Sequence, residues 1–344
     1  MLENKNIVFI VNPVSGTGNK DVLPSLIEKH IDTVNNNVQI VFTEYAGHAS
    51  EIARKCVEDG VDIVVAVGGD GTVNEVARAL AESQTALAIV PCGSGNGLAR
   101  HLMLPMNIKG ALEIINKAEI HSLDYGIIDE HPFFCTCGMG FDAYISQKFA
   151  NAGKRGPLTY VENVLKEGMK YEPETYEVIL DGKPEGSFKA FLVSVANASQ
   201  YGNDAYIAPQ ASMSDGLLDV VIMEPFDLLE AAQVGIDMMN KTLNKSSKIK
   251  CFKAQDIVVR RAGEGAIHYD GDPVMAGEEL HVTLRRNGIR IVINPMADKK
   301  RRQPNVVQMA FSQFFNDLNV VRDEVIHPVR HVKAINHYIQ SKLG

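Results

Sequence analysis

The chain is 344 residues long, 45% hydrophobic and 22% charged, with a formal charge of −8. That composition excludes a disordered polymer and speaks against general nucleic-acid binding, while the length suits two domains with an appendage. Charge is unevenly spread: from Asp298 to Gly344 eight Lys/Arg face four Asp/Glu, so the tail carries +4 and the remainder −8 − 4 = −12. A basic tail on an acidic body points to an anionic partner or surface. No apolar run approaches the roughly 18 residues of a membrane helix. At the start, MLENKNIVFIVNPVSG has only Ile7 to Val11 as an apolar core, too short for a signal peptide, so a cytoplasmic protein is expected. Five scattered cysteines (Cys56, Cys92, Cys135, Cys137, Cys251) without CxxC spacing are expected as thiols, not as a metal site.

In chain order, IVFIV (7–11), VQIVF (38–42), DIVVAV (62–67) and ALAIV (86–90) predict strands. Apolar residues at helical spacing predict helices over 20–31, 48–58, 73–82 and 108–118. This alternation marks a doubly wound parallel sheet, and strands apolar throughout fit burial on both faces. After Asp124 the texture changes. FFCTC, YEVIL, FKAFLVSVA, LLDVVIM, DIVVR, LHVTL and IRIVI predict strands joined by Gly, Pro, Asn and Asp turns, with helical patterns at about 158–169 and 226–243. An antiparallel, sandwich-like second domain is expected, followed by two helices at about 305–324 and 328–342.

Three glycine-rich turns follow strands of the first half. In NPVSGTGNK, Asn12, Pro13, Ser15 and Gly16 offer a turn whose amides could cradle phosphate, although it lacks the P-loop spacing. In VAVGGDGTVNEVARAL, Gly68, Gly69 and Gly71 surround Asp70 at a helix start. A carboxylate beside a phosphate-binding turn repels it unless a divalent cation lies between, which makes Asp70 a candidate for holding Mg²⁺ on a nucleotide. Thr72 and Glu75 also match a T-x-x-E capping box. In PCGSGNGLAR, Gly93 and Ser94 open the third turn. Three such turns at the carboxyl ends of parallel strands converge where open α/β sheets bind ligands.

NPVSG, GGDGTVNEVARAL and PCGSGNGLAR, in that order, resemble the diacylglycerol kinase catalytic family of bacterial soluble lipid kinases, related to the sphingosine kinases. The resemblance covers about 1–296; GMGFDAYIS, NASQYGND, SDGLLDVVI and YDGDP extend it through the second half. GGDGT alone is shared with NAD kinases. The resemblance implies an α/β plus β fold, with a doubly wound ATP-binding domain over 1–125 and a β-rich, sandwich-like lipid and metal domain over 126–296; beyond it, the sequence itself predicts a basic helical tail over 297–344. It implies ATP-dependent transfer of the γ-phosphate to a lipid hydroxyl, of diacylglycerol or a related lipid. A sphingoid-base kinase is the alternative, and a NAD kinase-like enzyme or a non-catalytic lipid-binding regulator stand behind it.

By resemblance, the nucleotide lies against the three turns together with Thr43, Thr72, Asn74 and Glu75. Asp215 is expected to bind a structural Mg²⁺ with main-chain oxygens of Ser212 and Leu217, and Asp124 to support it through water. Asp219 is expected in a hairpin turn. In YDGDP the family places a Glu, as general base, where this chain has Asp272; Asp270 could share that duty. GMGFDA also fits a dinucleotide fingerprint, but no βαβ crossover follows. Asp142 within it is open between a contact to a sphingoid amine and a helix N-cap. The expected partners are ATP and a membrane lipid. Basic residues (the KKRR run at 299–302, Arg100, Lys154, Arg155) would support transient contact with an anionic surface. Phe311, Phe314, Phe315 and Leu318 fall at helical spacing and fit packing on the body, a homodimer contact or the bilayer.

Overall fold

The computed structural model describes residues 4–16, 22–150, 167–168 and 170–295. The expected tail helices, the 299–302 basic run, Lys154, Arg155 and most of the 158–169 helical pattern lie outside those residues.

Four parallel strands, β1 (Asn6–Val11), β2 (Asn37–Phe42), β3 (Ile63–Gly68) and β4 (Ala86–Pro91), lie in the order β2-β1-β3-β4. β3 and β4 are buried at every position, as their unbroken apolar sequences require of strands covered on both sides. With right-handed crossovers, this strand order puts α1 (Leu23–His30) on one face and α2 (His48–Glu58) and α3 (Asp70–Leu80) on the other. α5 (Ile108–Lys117) joins α1, and α2 packs on α3. The short α4 (Gly97–His101) follows the third glycine turn.

The second lobe is antiparallel. Its elements are β5 (Ile120–Ile128), β6 (His131–Phe133), β7 (Thr136–Gly140), α6 (Phe141–Ala150), β8 (Glu174–Leu180), β9 (Lys183–Ala190), β10 (Leu192–Ala196), β11 (Leu218–Met223), α7 (Leu228–Asn240), β12 (Ile249–Ala254), β13 (Asp256–Arg260), β14 (Gly265–Tyr269), β15 (Asp272–Ala276) and β16 (Glu279–Val292). One sheet of six strands runs β12-β11-β10-β7-β14-β15. It packs on the β8, β13 and β16 part of the larger sheet through a shared core that includes Val178, Val195, Val220, Ile257 and Val282.

Several expected strands differ in extent. FKAFLVSVA is not one strand: it breaks at Phe191, with β9 in the large sheet and β10 in the six-stranded one. Phe191 is held at the crossing by its own N–H to Met223 O and by rings of Phe141 and Phe226, with centroids 4.4 and 4.6 Å away. FFCTC likewise breaks at 134–135, between β6 and β7. LHVTL and IRIVI merge instead into β16, with a register shift between Arg285 and Ile289. The end of β16 pairs with β4 (Ile291 opposite Leu87), so a single ten-stranded sheet passes through both lobes and the expected boundary at 125/126 falls inside β5.

Candidate active site

The three glycine turns meet at the carboxyl ends of β1, β3 and β4. Asn12 N–H donates to Val67 O (3.0 Å) and Cys92 N–H to Gly68 O (2.7 Å), which ties the first and third turns to the second. The closeness is possible only with glycine. A Cβ on Gly93 would lie 2.6 Å from the Gly69 Cα, and Gly16, at φ +70°, has the Cys92 carbonyl where a Cβ would stand. Pro13, Gly16, Gly71 and Ser94 are exposed on the rim, and Thr43 is buried just beyond β2.

α3 begins three residues earlier than a capping box at Thr72 requires. Gly69 is the N-cap, and no side chain caps the helix. Its tight glycine turn lets the helix start at Asp70, which carries Thr72 and Glu75 to other work. Thr72 Oγ1 accepts from Asn12 Nδ2 (3.1 Å) and Glu75 Oε1 accepts from Gly47 N–H (3.0 Å). The N–H groups of Asp70, Gly71 and Thr72 therefore have no acceptor within the helix, and the positive end of the helix dipole faces the three turns.

Asp70 itself reaches sideways. Its carboxylate accepts from Asn96 N–H (Oδ2, 2.8 Å) and Gly97 N–H (Oδ1, 2.7 Å), so both oxygens clamp the third turn. Asn96 completes that turn: its Oδ1 accepts from Gly93 N–H and its amide donates to Gly93 O. The second lobe grips the same turn. Arg100 donates to Gly95 O and pairs at 3.0 Å with buried Asp204, and Asn203 N–H also donates to Gly95 O. One residue on, the His101 ring receives Ser199 N–H, and burial pushes its pKa down to about 4.

Against α3 stands the β14–β15 hairpin of the second lobe. Asp270 and Gly271 both have positive φ (+53° and +88°), the two-residue turn that an Asp-Gly pair favours. Asp270 is more than a turn residue. Its carboxylate is buried and accepts from the N–H groups of Phe134, Cys135 and Thr136 at 2.8, 2.7 and 3.1 Å, in the break between β6 and β7. Burial raises its pKa to about 6 against the lowering effect of those amides. Asp272 is different: half-exposed, it is held through one oxygen by Arg78 Nη2 at 2.9 Å. Arg78 lies one helical turn beyond Asn74 on α3, and Asn74 Nδ2 donates to Asp270 O. The Arg78 guanidinium rests 4.7 Å from the Tyr269 ring centroid, and that ring stacks on His131.

Arg78 escaped the sequence reading, as did His268. His268 is buried at the base of the hairpin, where Gly271 N–H donates to its Nδ1, leaving Nε2–H to donate to Asp142 Oδ2 at 3.1 Å. Tyr201 donates to the same carboxylate, and Asp142 Oδ1 receives Ala143 N–H. Asp142 is thus neither an N-cap nor a carboxylate open to an amine. The alternation of IHYDGD, with His268 and Asp270 two apart, was the available signal.

The expected metal ligands lie around one loop, 212–217, with their carboxylates engaged by protein groups. Asp124 is buried and accepts from Gly216 N–H (3.0 Å) and Asn287 N–H (2.8 Å). Asp215 accepts from Leu217 N–H through one oxygen and from Lys253 Nζ through the other, and Ser212 Oγ bonds the Ser214 hydroxyl. Asp219 is not in a turn but on β11, opposite Lys253 of β12. No cluster of three acidic, His or Cys side chains fit to hold a metal occurs among the described residues. Each oxygen of Asp70, Asp124 and Asp215 already accepts from a protein donor, so as placed these side chains present no empty carboxylate oxygen to an ion. All five cysteines are free thiols, and Cys135 and Cys137 are buried, which raises their pKa well above the ordinary thiol value. No helix among the described residues is long and apolar enough to cross a membrane.

Comparison with known proteins agrees with this geometry. The profile of the diacylglycerol kinase catalytic domain matches residues 6–128, and that of the YegS C-terminal NAD kinase beta sandwich-like domain matches 135–292. An uncharacterized Synechocystis protein is 28% identical over 252 residues, covering 69% of this chain and 58% of that relative, so the match spans little over half of it. A diacylglycerol kinase of Mycobacterium tuberculosis is 28% identical over 268 residues, covering 71% of this chain and 85% of that enzyme. The crystal structure of a diacylglycerol kinase from Bacillus anthracis shares the fold, with a TM-score of 0.69 at 23% identity over 87% of this chain and all of that one. With matched profiles running through both lobes and across the glycine turns and the hairpin, this chain belongs to the diacylglycerol kinase catalytic family.

Proposed function

We propose that the protein is a lipid kinase that transfers the γ-phosphate of ATP to the hydroxyl of diacylglycerol or a related lipid. The observation that carries this reading is the uncapped start of α3, where three glycine turns meet, facing a half-exposed carboxylate from the other lobe. The bare amides of Asp70, Gly71 and Thr72 and the turns at 12–16 and 93–94 bind phosphate oxygens, with Thr43, Asn74 and Glu75 supporting the walls of the site. Asp70 keeps the third turn in place. Asp272 takes the proton of the attacking hydroxyl, while Asp270, its oxygens filled by amides, anchors the hairpin. Arg78 aims Asp272 and compensates for a side chain one methylene shorter than the Glu of the family pattern.

Asp70 and Arg78 are eight residues apart, about 12 Å along the helix axis. Helical side chains lean toward the N-terminus, so the guanidinium reaches back toward the turns. One helix thereby spaces the phosphate grip from the base. Magnesium is assigned to the nucleotide as counter-ion of its phosphates. A lipid acceptor requires visits to a bilayer surface, for which the basic tail outside the described residues supplies charge.

The test is a panel of acceptors with radiolabelled ATP: diacylglycerol, sphingoid bases, ceramide and phosphatidylglycerol in mixed micelles, and NAD in solution. Label in diacylglycerol that disappears with Asp272→Asn supports the reading. Label in NAD alone, or in no lipid, overturns it.

A further inference from the structure

The 212–219 loop is the place where the sequence resemblance implies a divalent cation, and it is built around a different one. Lys253 Nζ stands 2.7 Å from Asp215 Oδ2 and 3.2 Å from Asp219 Oδ2, the second contact lying off the hydrogen-bonding direction. Its position follows from strand register. Lys253 of β12 faces Asp219 directly across the antiparallel pair with β11, and Asp215 lies just before that strand. We propose that this ammonium does the work of a bound metal in this chain, so that the second lobe keeps its shape without a structural divalent ion.

The surroundings agree. Asp215 spends its remaining oxygen on Leu217 N–H, and Gln255 donates to Gly216 O, so the loop closes on its own groups. Asp124 carries Gly216 N–H on one oxygen and Asn287 N–H on the other, which fastens the loop to β16. A second cation lies alongside: the Arg286 guanidinium packs so closely on Gly216 that a Cβ there would be 2.8 Å from Nη2. An ion entering against Asp215 would sit within a few ångströms of one ammonium and near one guanidinium, a repulsion that hydrated Mg²⁺, reluctant to shed water, is poorly placed to overcome. The inference holds whatever the acceptor substrate is, because it concerns the folded lobe and not the transfer.

The experiment uses the full chain without nucleotide. Metal content after dialysis is measured by plasma mass spectrometry, and melting is followed in EDTA and in Mg²⁺. The expected result is no stoichiometric divalent metal and the same melting temperature in both buffers. Lys253→Met is expected to melt of the order of 2–4 °C lower in EDTA and to recover with Mg²⁺ as the carboxylates become free to bind it. Lys253→Arg is expected to stay near wild type. The proposal is overturned if wild type melts lower in EDTA, is restored by Mg²⁺, and loses that response in Asp215→Asn. It is also overturned if Lys253→Met melts like wild type in EDTA. A Mg²⁺ response that persists in Asp215→Asn places the ion elsewhere and leaves Lys253 as the brace.

Discussion

Replacing Asp70 by Asn separates two roles for the same carboxylate. In the structure both oxygens accept backbone N–H groups of the third turn, at 2.7 and 2.8 Å. The amide keeps one acceptor and turns an NH₂ toward the other donor, so one charge-assisted bond is lost and one amide is left facing a donor. Such a bond is worth about 1.5–3 kcal/mol, and about 2 kcal/mol is expected for a partly exposed group. With about 2.1 cal/mol/K of unfolding entropy per residue over the chain, that is a fall of about 3 °C in melting temperature. The 93–97 turn loosens with it, so the KM for ATP rises more than kcat falls. The assay pairs differential scanning fluorimetry with initial rates at varied ATP. If melting is unchanged while kcat collapses, the carboxylate is serving a metal ion and not the turn, and the clamp is refuted.

Asp272→Asn is expected to lower kcat by about 10²–10⁴-fold with ATP binding retained, read by initial rates and calorimetric ATP titration; near-normal kcat removes Asp272 from the role of base. Arg100→Met leaves the carboxylate of Asp204 buried without its cation and is expected to cost about 3–5 kcal/mol, measured by urea unfolding; a loss below about 1 kcal/mol would mean that the pair does not brace the lobes. For Asp270, a folded pKa of about 6 against an ordinary value of 3.8 means that ionisation disfavours the folded state. Its stabilising contribution is whole below the unfolded pKa and declines as pH rises through about 6. The stability of wild type relative to Asp270→Asn should therefore fall between these two pH values and level off above them; a flat difference refutes the buried assignment.

The sheet of the first lobe was legible because β1, β3 and β4 are apolar on both faces and each runs into a glycine-rich turn. The Asp-Gly hairpin was legible because few other pairs tolerate two positive φ values in succession. What Asp70 touches was not. Glycine spacing shows that backbones come close, but not that the carboxylate would be consumed by the neighbouring turn. Arg78 and Asp272 are 194 positions apart in the chain, and nothing local to either names the other. Lys253 opposite Asp219 depends on the register of β11 against β12, which one strand's sequence does not carry. Thr72 and Glu75 fit a local capping rule that lost to the tertiary bonds with Asn12 and Gly47.

The long strand that ends beside β4 bears on how this protein can be divided. The sheet of the first lobe is finished by residues near 291, contributed after the whole second lobe has been traversed. A fragment stopped near residue 128 would leave the flank of β4 bare, a ready template for association with another molecule. Severing the two halves for separate expression should give insoluble material, whereas joining the pieces by co-expression should rescue it. Because backbone pairing between β4 and β16 spans the junction, swinging of one half against the other is restricted.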